Sequence, residues 1–246
     1  MSELTGKVAL VTGGSRGIGA AIARRLAAAG ADVALPYQHA EGPAKTVAGE
    51  LQALGRRAIA IQADSADATA VRAAVDRAAS ELGGLDILVN NAGIFPARPF
   101  EEFTVAEIDN ALHVHARAAF VGAQAAVAYM TEGGRIISIG TNLAEHAPFD
   151  GLTLYNLSKS ALNGFTKALA RELGPRAITV NLVQPGSTDT DMNPEDGDHA
   201  PQQRELTALG RFGTADDIAA TVAFLAGPSG RSITGAFLTV DSGTNA

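Results

Sequence analysis

The sequence contains no cysteine and no tryptophan among its 246 residues. The lack of cysteine excludes a disulfide framework, a thiolate nucleophile and any zinc or iron–sulfur site that cysteine would ligate. No apolar run approaches the length needed to cross a bilayer. The opening stretch MSELTGKVALVTGG also lacks the basic and long apolar segments of a secretory signal. We therefore expect a cytoplasmic protein without a membrane partner.

Positive charge is also scarce. The chain has 19 Lys and Arg against 26 Asp and Glu, a net charge of −7, and the basic residues are scattered. This composition argues against a surface for nucleic acid or anionic membranes. The five histidines form no convincing ligand cluster with carboxylates. We therefore predict no metal site, and a metal-dependent hydrolase finds no support.

Hydrophobic residues make up 46% of the chain, which is enough for a substantial core. Short β-branched runs alternate with longer Ala-rich amphipathic stretches, the pattern of repeated βα units around a parallel sheet. Strands are predicted near 7–12, 31–35, 57–62, 85–89, 135–140, 177–183 and 236–240. Helices are predicted near 17–29, 41–54, 67–82, 104–129, 152–173 and 214–226. The sequence thus predicts an α/β fold with one doubly wound, seven-stranded parallel sheet and helices on both faces, in a single domain over residues 1–246.

One long polar segment interrupts this alternation, at about residues 187–213. A loop of that length inside a compact domain is more often a lid than a filler. We predict a substrate lid here, with a disordered insertion as the alternative.

A glycine-rich turn follows the first predicted strand and opens the first predicted helix. Glycines there permit a tight turn and let a pyrophosphate approach the amides at the positive end of the helix dipole. A purely structural turn is the alternative, because a glycine-rich turn alone is a weak signal. The predicted cofactor contacts in this turn are Gly13, Ser15, Arg16, Gly17, Ile18 and Gly19.

The residues after the second predicted strand bear on the choice of cofactor. An acid there would bind the ribose 2′-hydroxyl and repel a 2′-phosphate, but the segment 35–39, LPYQH, contains none. Arg16 is a cation placed to meet a 2′-phosphate, so NADP(H) is favoured over NAD(H); a solvated arginine is the alternative. After the third strand, Asp64, beside Ser65, could accept a hydrogen bond from an adenine amine or cap the helix that starts near Asp67.

Two further strand ends carry small or polar residues at the edge where ligands of open α/β sheets bind. The first, Asn91, Ala92 and Gly93, leaves room for a ribose, although such residues also build ordinary turns. The second follows the sixth strand, where backbone and hydroxyl groups could fix a carboxamide. Its candidate residues are Pro185, Gly186, Thr188 and Thr190.

Tyr155 and Lys159 lie four residues apart on a predicted helix and so share one face. A tyrosine hydroxyl has an ordinary pKa of about 10, and a lysine ammonium one turn away favours the phenolate and lowers that pKa. The pair would then exchange a proton with a substrate near neutral pH, although such a spacing also arises by chance. Thr141, after the fifth strand, could donate to a substrate carbonyl oxygen beside Tyr155.

These motifs, in this order and spacing, resemble the short-chain dehydrogenase/reductase family over nearly the whole chain. The resemblance implies a Rossmann-type sheet, a nicotinamide cofactor, hydride transfer to a carbonyl or from an alcohol, and commonly a homotetramer. It implies that Tyr155 is the general acid in reduction and the base in oxidation, and that Lys159 lowers its pKa and binds ribose. The matching segments are TGGSRGIG at 12–19, Asp64, NNAG at 90–93, YNLSK at 155–159, PG at 185–186, ITG at 233–235 and VDSG at 240–243.

Two positions depart from the family pattern. Thr141 stands where the family usually has serine, which keeps the hydroxyl but stiffens χ1. His115 stands where the family usually has an asparagine thought to hold a water that links the lysine to solvent. His115 could hold that water, shuttle the proton itself, or only pack against the floor of the site.

The leading hypothesis is an NADPH-dependent carbonyl reductase, reversible as an alcohol dehydrogenase, that resembles 3-oxoacyl-acyl-carrier-protein reductases. No Lys or Arg lies between Arg117 and Arg135 to dock an acidic carrier. A small ketone, a sugar or a free 3-oxo ester is therefore slightly favoured. The predicted apolar wall comprises Met192, Leu206, Leu209 and Phe212, with His146 and Phe149 opposite. The alternative is a catalytically weak NADP(H)-binding sensor or assembly subunit, motivated by the changes at Thr141 and His115.

Overall fold

A computed structural model describes residues 3–246. The first two residues of the opening stretch, in which no secretory signal is predicted, lie outside the described residues. In this range the strands are β1 (Val8–Val11), β2 (Asp32–Tyr37), β3 (Ala58–Gln62), β4 (Ile87–Asn90), β5 (Arg135–Ile139), β6 (Thr179–Pro185), β7 (Thr188–Asp189), β8 (Gly213–Thr214) and β9 (Phe237–Val240). The α-helices are α1 (Gly17–Ala28), α2 (Glu41–Ala53), α3 (Ala68–Leu82), α4 (Val105–Leu112), α5 (Ala118–Ala126), α6 (Thr153–Leu173), α7 (Ala200–Glu205) and α8 (Ala215–Ala226).

The main sheet is seven-stranded, in the order β3-β2-β1-β4-β5-β6-β9, and its strand pairs are parallel. Leu10 of β1 is in register with Ala34 on one side and Leu88 on the other. The chain moves outward from β1 to β3 and then crosses back to β4. This reversal separates the connections that follow β1 and β4, and ligands bind at such a crevice in open α/β sheets.

Helices cover both faces of the sheet because the strands are apolar on both sides. Successive residues of β1 alternate between two buried clusters: Val11 packs with Ile22 of α1 and Val222 of α8, and Leu10 packs with Val75 of α3. The predicted α/β fold with a doubly wound, seven-stranded parallel sheet is confirmed. No helix within residues 3–246 is both long and apolar enough to cross a membrane.

Two predicted elements need correction. The second strand extends to Tyr37 rather than ending at 35. It includes Pro36, which has no amide hydrogen to donate but whose carbonyl accepts from the Gly13 amide at 3.1 Å. The predicted helix 104–129 ends at Ala126 and is interrupted by a π-helical turn, His113–Arg117. A π turn adds one residue to the helical repeat, a local change that apolar periodicity does not reveal.

The segment predicted as a lid contains regular structure. Its two ends meet where β7 pairs with β8, with Thr188 in register with Gly213. Between them lie a bridged turn from Thr190 to Asn193 and the short helix α7. The alternative of a disordered insertion therefore does not describe this segment, which projects from the carboxyl edge of the sheet.

Candidate active site

A cleft of about 930 Å³ opens at the carboxyl edge of the sheet, between the strand ends and the segment 187–213. Its lining residues are far apart in sequence but close in space, because the parallel strands β1, β4, β5 and β6 all end at this edge. The predicted site residues that line it are Gly13, Ser15, Arg16, Gly17, Ile18, Gly19, Asp64, Ser65, Asn91, Ala92, Gly93, Thr141, Tyr155, Lys159, Pro185, Gly186, Thr188 and Thr190. Among the predicted site residues, His115 alone does not line this cleft.

The glycine-rich turn is packed so closely that a side chain cannot fit at Gly19. A Cβ there would lie 2.3 Å from the Gly13 carbonyl oxygen and 2.5 Å from Asn91 Nδ2. Asn91 Nδ2 locks the turn by donating to the Thr12 carbonyl at 2.9 Å. The first turn of α1 has no side-chain cap and no acidic residue, so its amides remain available to an anion in the cleft. This arrangement fits a pyrophosphate.

Beside this turn the cleft is lined by Tyr37, Gln38 and His39 at the end of β2, where the Gly13 amide donates to the Pro36 carbonyl at 3.1 Å. Asp64 lies here too, and its carboxylate accepts from the Ala66 amide at 2.8 Å. The helix α3 is capped by Asp67, which accepts from the Thr69 amide at 2.8 Å. The alternative in which Asp64 caps this helix is therefore wrong, and Asp64 is left as a wall residue of the cleft.

Arg16 forms an ion pair with Asp191, with 2.6 Å between Nη1 and Oδ2. The arginine side chain is nonetheless 64% exposed, and a solvated arginine remains the alternative to a phosphate contact. Among the described residues that line the cleft, Arg16 and Lys159 are the side chains that carry a full positive charge. Arg16 is the one that lies in the glycine-rich turn, which is bonded to the end of β2 through the Gly13 amide and the Pro36 carbonyl.

Tyr155, Lys159 and Thr141 meet at the floor of the cleft. The Tyr155 hydroxyl is hydrogen-bonded to Thr141, which works to lower its pKa, but burial outweighs this bond and raises the pKa of Tyr155 above its ordinary value. Lys159 is buried, and its Nζ donates to the Ile139 carbonyl at 2.8 Å. Burial lowers the pKa of Lys159 to about 8. The expected net fall in the pKa of Tyr155 is thus not found in this structure, because burial dominates, and the stabilisation of its phenolate by Lys159 stays a prediction.

Thr141 is placed to donate its hydroxyl hydrogen into the cleft. Its Oγ1 accepts from the Leu143 amide at 3.2 Å, which leaves the hydroxyl hydrogen for the Tyr155 oxygen or for a ligand. The ring of Tyr155 is fixed by an edge-to-face contact with Phe95, at 4.7 Å between centroids. Both hydroxyls therefore converge on one point at the cleft floor.

His115 has both ring nitrogens occupied beneath this floor. Its Nε2 accepts from the Ile94 amide at 3.0 Å, and its Nδ1 lies 2.8 Å from Ser158 Oγ. The Ser158 hydroxyl donates to the carbonyls of α6, so Nδ1 is the donor in that contact. Burial and the charge of Lys159 lower the pKa of His115 to about 3, and the ring is neutral near pH 7. A direct proton relay therefore has no free nitrogen to use, and the packing alternative is favoured.

A separate cavity of about 20 Å³ lies behind the catalytic candidates. It is lined by Asn90, His115 and Lys159, among others, and is large enough for one water molecule. Asn90 and Ser158 stand inside the matched segments 90–93 and 155–159, but the sequence pattern assigns neither of them a role at this floor. Each immediately precedes a residue that is predicted as a site residue.

The apolar wall differs from its prediction. Phe149, Met192 and Leu206 line the cleft, together with Phe95, which was not predicted. Phe212 is 3% exposed and packs beneath the guanidinium of Arg204. Leu209 is 64% exposed and, like His146, lies outside the cleft lining. Some side chains of the segment 187–213 face the cleft and others face away from it, and the sequence pattern does not distinguish the two groups.

We expect His115→Asn to keep kcat within about threefold while lowering the free energy of unfolding by about 1–2 kcal/mol, because the buried Ile94 amide loses its acceptor. Steady-state kinetics and denaturant unfolding measure the two effects. A hundredfold loss of kcat at unchanged stability would instead assign His115 a role in proton transfer.

Comparison with known proteins shows extensive similarity. The sequence model of a protein family described as "Enoyl-(Acyl carrier protein) reductase" matches residues 13–245. A short chain dehydrogenase from Burkholderia cenocepacia, solved in complex with NADP, is 61% identical with a TM-score of 0.98, covering 99% of this chain and 100% of that one. A blue fluorescent protein from a metagenomic library, solved with NADPH, is 55% identical with a TM-score of 0.98 and the same coverage.

A further relative carries a different description. The "Cyclic-di-GMP-binding biofilm dispersal mediator protein" of Escherichia coli K12 is 42% identical over 241 residues, which is 98% of each chain.

Proposed function

The chain belongs to the short-chain dehydrogenase/reductase family of oxidoreductases, and on that premise we propose that it is an NADPH-dependent carbonyl reductase, reversible as an alcohol dehydrogenase, that acts on small neutral ketones. The observation that carries this proposal is the convergence of the Tyr155 and Thr141 hydroxyls above the buried Lys159 at the floor of the cleft.

The cleft chemistry supports NADP(H) as the cofactor, as do the NADP and NADPH complexes of the two structural relatives. The open amides of α1 would hold the pyrophosphate, and Arg16 the 2′-phosphate. Asp64 and Ser65 would contact the adenine. Ribose would lie against residues 91–93, Tyr155 and Lys159, and the carboxamide against residues 185–190. When bound, the nicotinamide supplies the hydride.

The protein side chains supply the proton and hold the carbonyl. The raised pKa of Tyr155 keeps its proton in place until negative charge develops on the substrate oxygen, to which Tyr155 then donates. The Thr141 hydroxyl donates to the same oxygen and fixes its position. Lys159 bears a charge below about pH 8, and this ammonium stabilises the phenolate that Tyr155 leaves behind. Water then restores the proton in the next cycle.

The walls of the cleft support a neutral substrate. Phe95, Phe149, Met192 and Leu206 present apolar surface beside Tyr155. Neither cation of the cleft is free to bind a negatively charged substrate group. Lys159 donates to the Ile139 carbonyl, and Arg16 lies toward the adenosine end. A substrate carboxylate or phosphate would find no partner and would lose its hydration. A compact ketone or a 3-oxo ester fits these walls.

Two substrates that share the 3-oxobutanoyl group but differ in charge test this proposal. With NADPH, we expect kcat/KM for ethyl 3-oxobutanoate to exceed that for the 3-oxobutanoate anion by about tenfold or more, equivalent to about 1.4 kcal/mol. Phe149→Arg should narrow this ratio by adding a cation to the wall, whereas Phe149→Leu should not. Preference for the anion, or for a carrier-bound thioester, would contradict the neutral substrate class.

The alternative, a catalytically weak NADP(H)-binding sensor, is motivated by the changes at Thr141 and His115. The Escherichia coli relative, described as a cyclic-di-GMP-binding biofilm dispersal mediator, is likewise not described by a catalysed reaction. The hydrogen-bonded Tyr155–Thr141 pair favours the reductase, since a sensor needs neither hydroxyl. The chain is also proposed to form one domain with a lid over residues 187–213 and to assemble as a homotetramer. Exposed apolar side chains such as Phe120 and Leu157 support the assembly. The cytoplasmic location stays a proposal.

A further inference from the structure

The tip of the segment 187–213 lies directly on the glycine-rich turn. The Arg16–Asp191 ion pair joins the two across 2.6 Å, with the arginine side chain 64% and the aspartate side chain 50% exposed. A Cβ built at Gly17 would lie 3.4 Å from the Thr190 methyl and 3.6 Å from Asp191 Oδ1. The carboxylate of Asp191 therefore occupies the immediate surroundings of the pyrophosphate turn.

Local structure holds Asp191 at this place. The turn from Thr190 to Asn193 is closed by the Asn193 amide, which donates to the Thr190 carbonyl at 3.1 Å. The Asn193 side chain is in turn paired with Gln203 of α7 by two hydrogen bonds of 2.9 and 3.0 Å. Because the turn is braced on both sides, the carboxylate is presented to Arg16 by a folded element and not by a free chain end.

A 2′-phosphate and the Asp191 carboxylate both need the Arg16 guanidinium, and both are negatively charged. The segment 37–39 contains no arginine or lysine that could bind the 2′-phosphate together with Arg16. We propose that Asp191 is a specificity-determining residue, which competes with the 2′-phosphate of NADP(H) for Arg16 and so reduces the preference for NADPH over NADH. This inference rests on the proposed function.

The test compares two variants that each remove one negative charge from the lid. Asp191→Asn removes the negative charge that pairs with Arg16, whereas Asp196→Asn removes one from an exposed residue five positions further along the same segment. Fluorescence titration of the purified protein gives the Kd for NADPH and for NADH. An exposed ion pair is worth up to about 1 kcal/mol, so Asp191→Asn should tighten NADPH about two- to fivefold. NADH binding should be unchanged, as should both cofactors with Asp196→Asn.

A second background separates competition for Arg16 from general charge repulsion. If Asp191 acts through Arg16, then Asp191→Asn should have no effect on the Kd for NADPH in a protein that already carries Arg16→Ala. An effect of the same size in that background, equal effects from Asp191→Asn and Asp196→Asn, or no tightening of NADPH would each overturn the inference. A parent protein that binds NADH as tightly as NADPH would instead overturn the proposed cofactor choice, and this inference with it.

Discussion

Replacement of Tyr155 by phenylalanine is expected to lower kcat for NADPH-dependent ketone reduction by about a thousandfold, since a positioned general acid contributes roughly 10²–10⁴. The phenyl ring can keep the edge-to-face contact with Phe95, so the fold of the site is preserved. What disappears is the hydroxyl that bonds Thr141 and donates the proton. The Kd for NADPH should stay close to that of the parent protein, because the hydroxyl is a small part of the cofactor's surroundings.

Tyr129→Phe is the matched control. Its hydroxyl donates to Asp76 at 2.9 Å on the surface and is absent from the cleft lining, so its loss should leave kcat unchanged. Single-turnover rates and NADPH titrations on both variants give the comparison. If Tyr155→Phe retained a tenth or more of the parent turnover, Tyr155 would not be the proton donor.

Arg16→Ala is expected to weaken NADPH binding by about tenfold to a hundredfold, since hydrogen bonds to charged groups contribute about 1.5–3 kcal/mol. NADH has no 2′-phosphate and should bind the variant almost as it binds the parent. Within the lining of the cleft, Lys159 is the other full cation, and it donates to the Ile139 carbonyl. Nothing else in that lining would replace the lost charge.

Arg24→Ala provides the control for this second prediction. Arg24 lies on α1, the helix that Arg16 precedes. It is comparably exposed and is paired with Glu50 at 2.7 Å, but it does not line the cleft. Its removal should change neither Kd. Equal losses of NADPH and NADH affinity with Arg16→Ala would show that Arg16 shapes the turn and does not bind a 2′-phosphate.

The sheet and the glycine-rich turn could be predicted from the sequence because each is specified by a pattern of residues that are close together in the chain. Alternating apolar runs and Ala-rich helices predict a parallel sheet with both faces covered by helices, and the structure contains such a sheet. The ends of parallel strands share one edge, so Asn91, Thr141 and Pro185 could be predicted to meet although they are far apart in the chain.

His115 shows where such reasoning stops. Its role depends on the Ile94 amide and the Ser158 hydroxyl, which are 21 and 43 residues away and occupy both ring nitrogens. The π-helical turn that carries His115 changes the helix by one residue, which the apolar pattern does not register. A sequence-based argument could assign the ordinary pKa of a histidine to this residue, but not the burial that lowers its pKa.

The Arg16–Asp191 pair was missed for a similar reason. Arg16 was correctly placed in the cleft, but its partner lies 175 residues later in a polar segment with several equivalent carboxylates. Only the folded turn from Thr190 to Asn193 selects Asp191 among them. Phe212 was misplaced on the cleft wall because the same segment has two surfaces, and packing buried this ring beneath Arg204.

The most direct test of the central claim follows the hydride itself. The protein is incubated with ethyl 3-oxobutanoate and NADPH that carries deuterium at both positions of the nicotinamide C4, and the alcohol is analysed by mass spectrometry. A carbonyl reductase transfers one deuterium to the carbinol carbon, and Tyr155→Phe should form this product about a thousandfold more slowly. Consumption of NADPH without deuterium in the alcohol, or binding of NADPH without turnover of any neutral ketone, would contradict the reductase and favour the sensor.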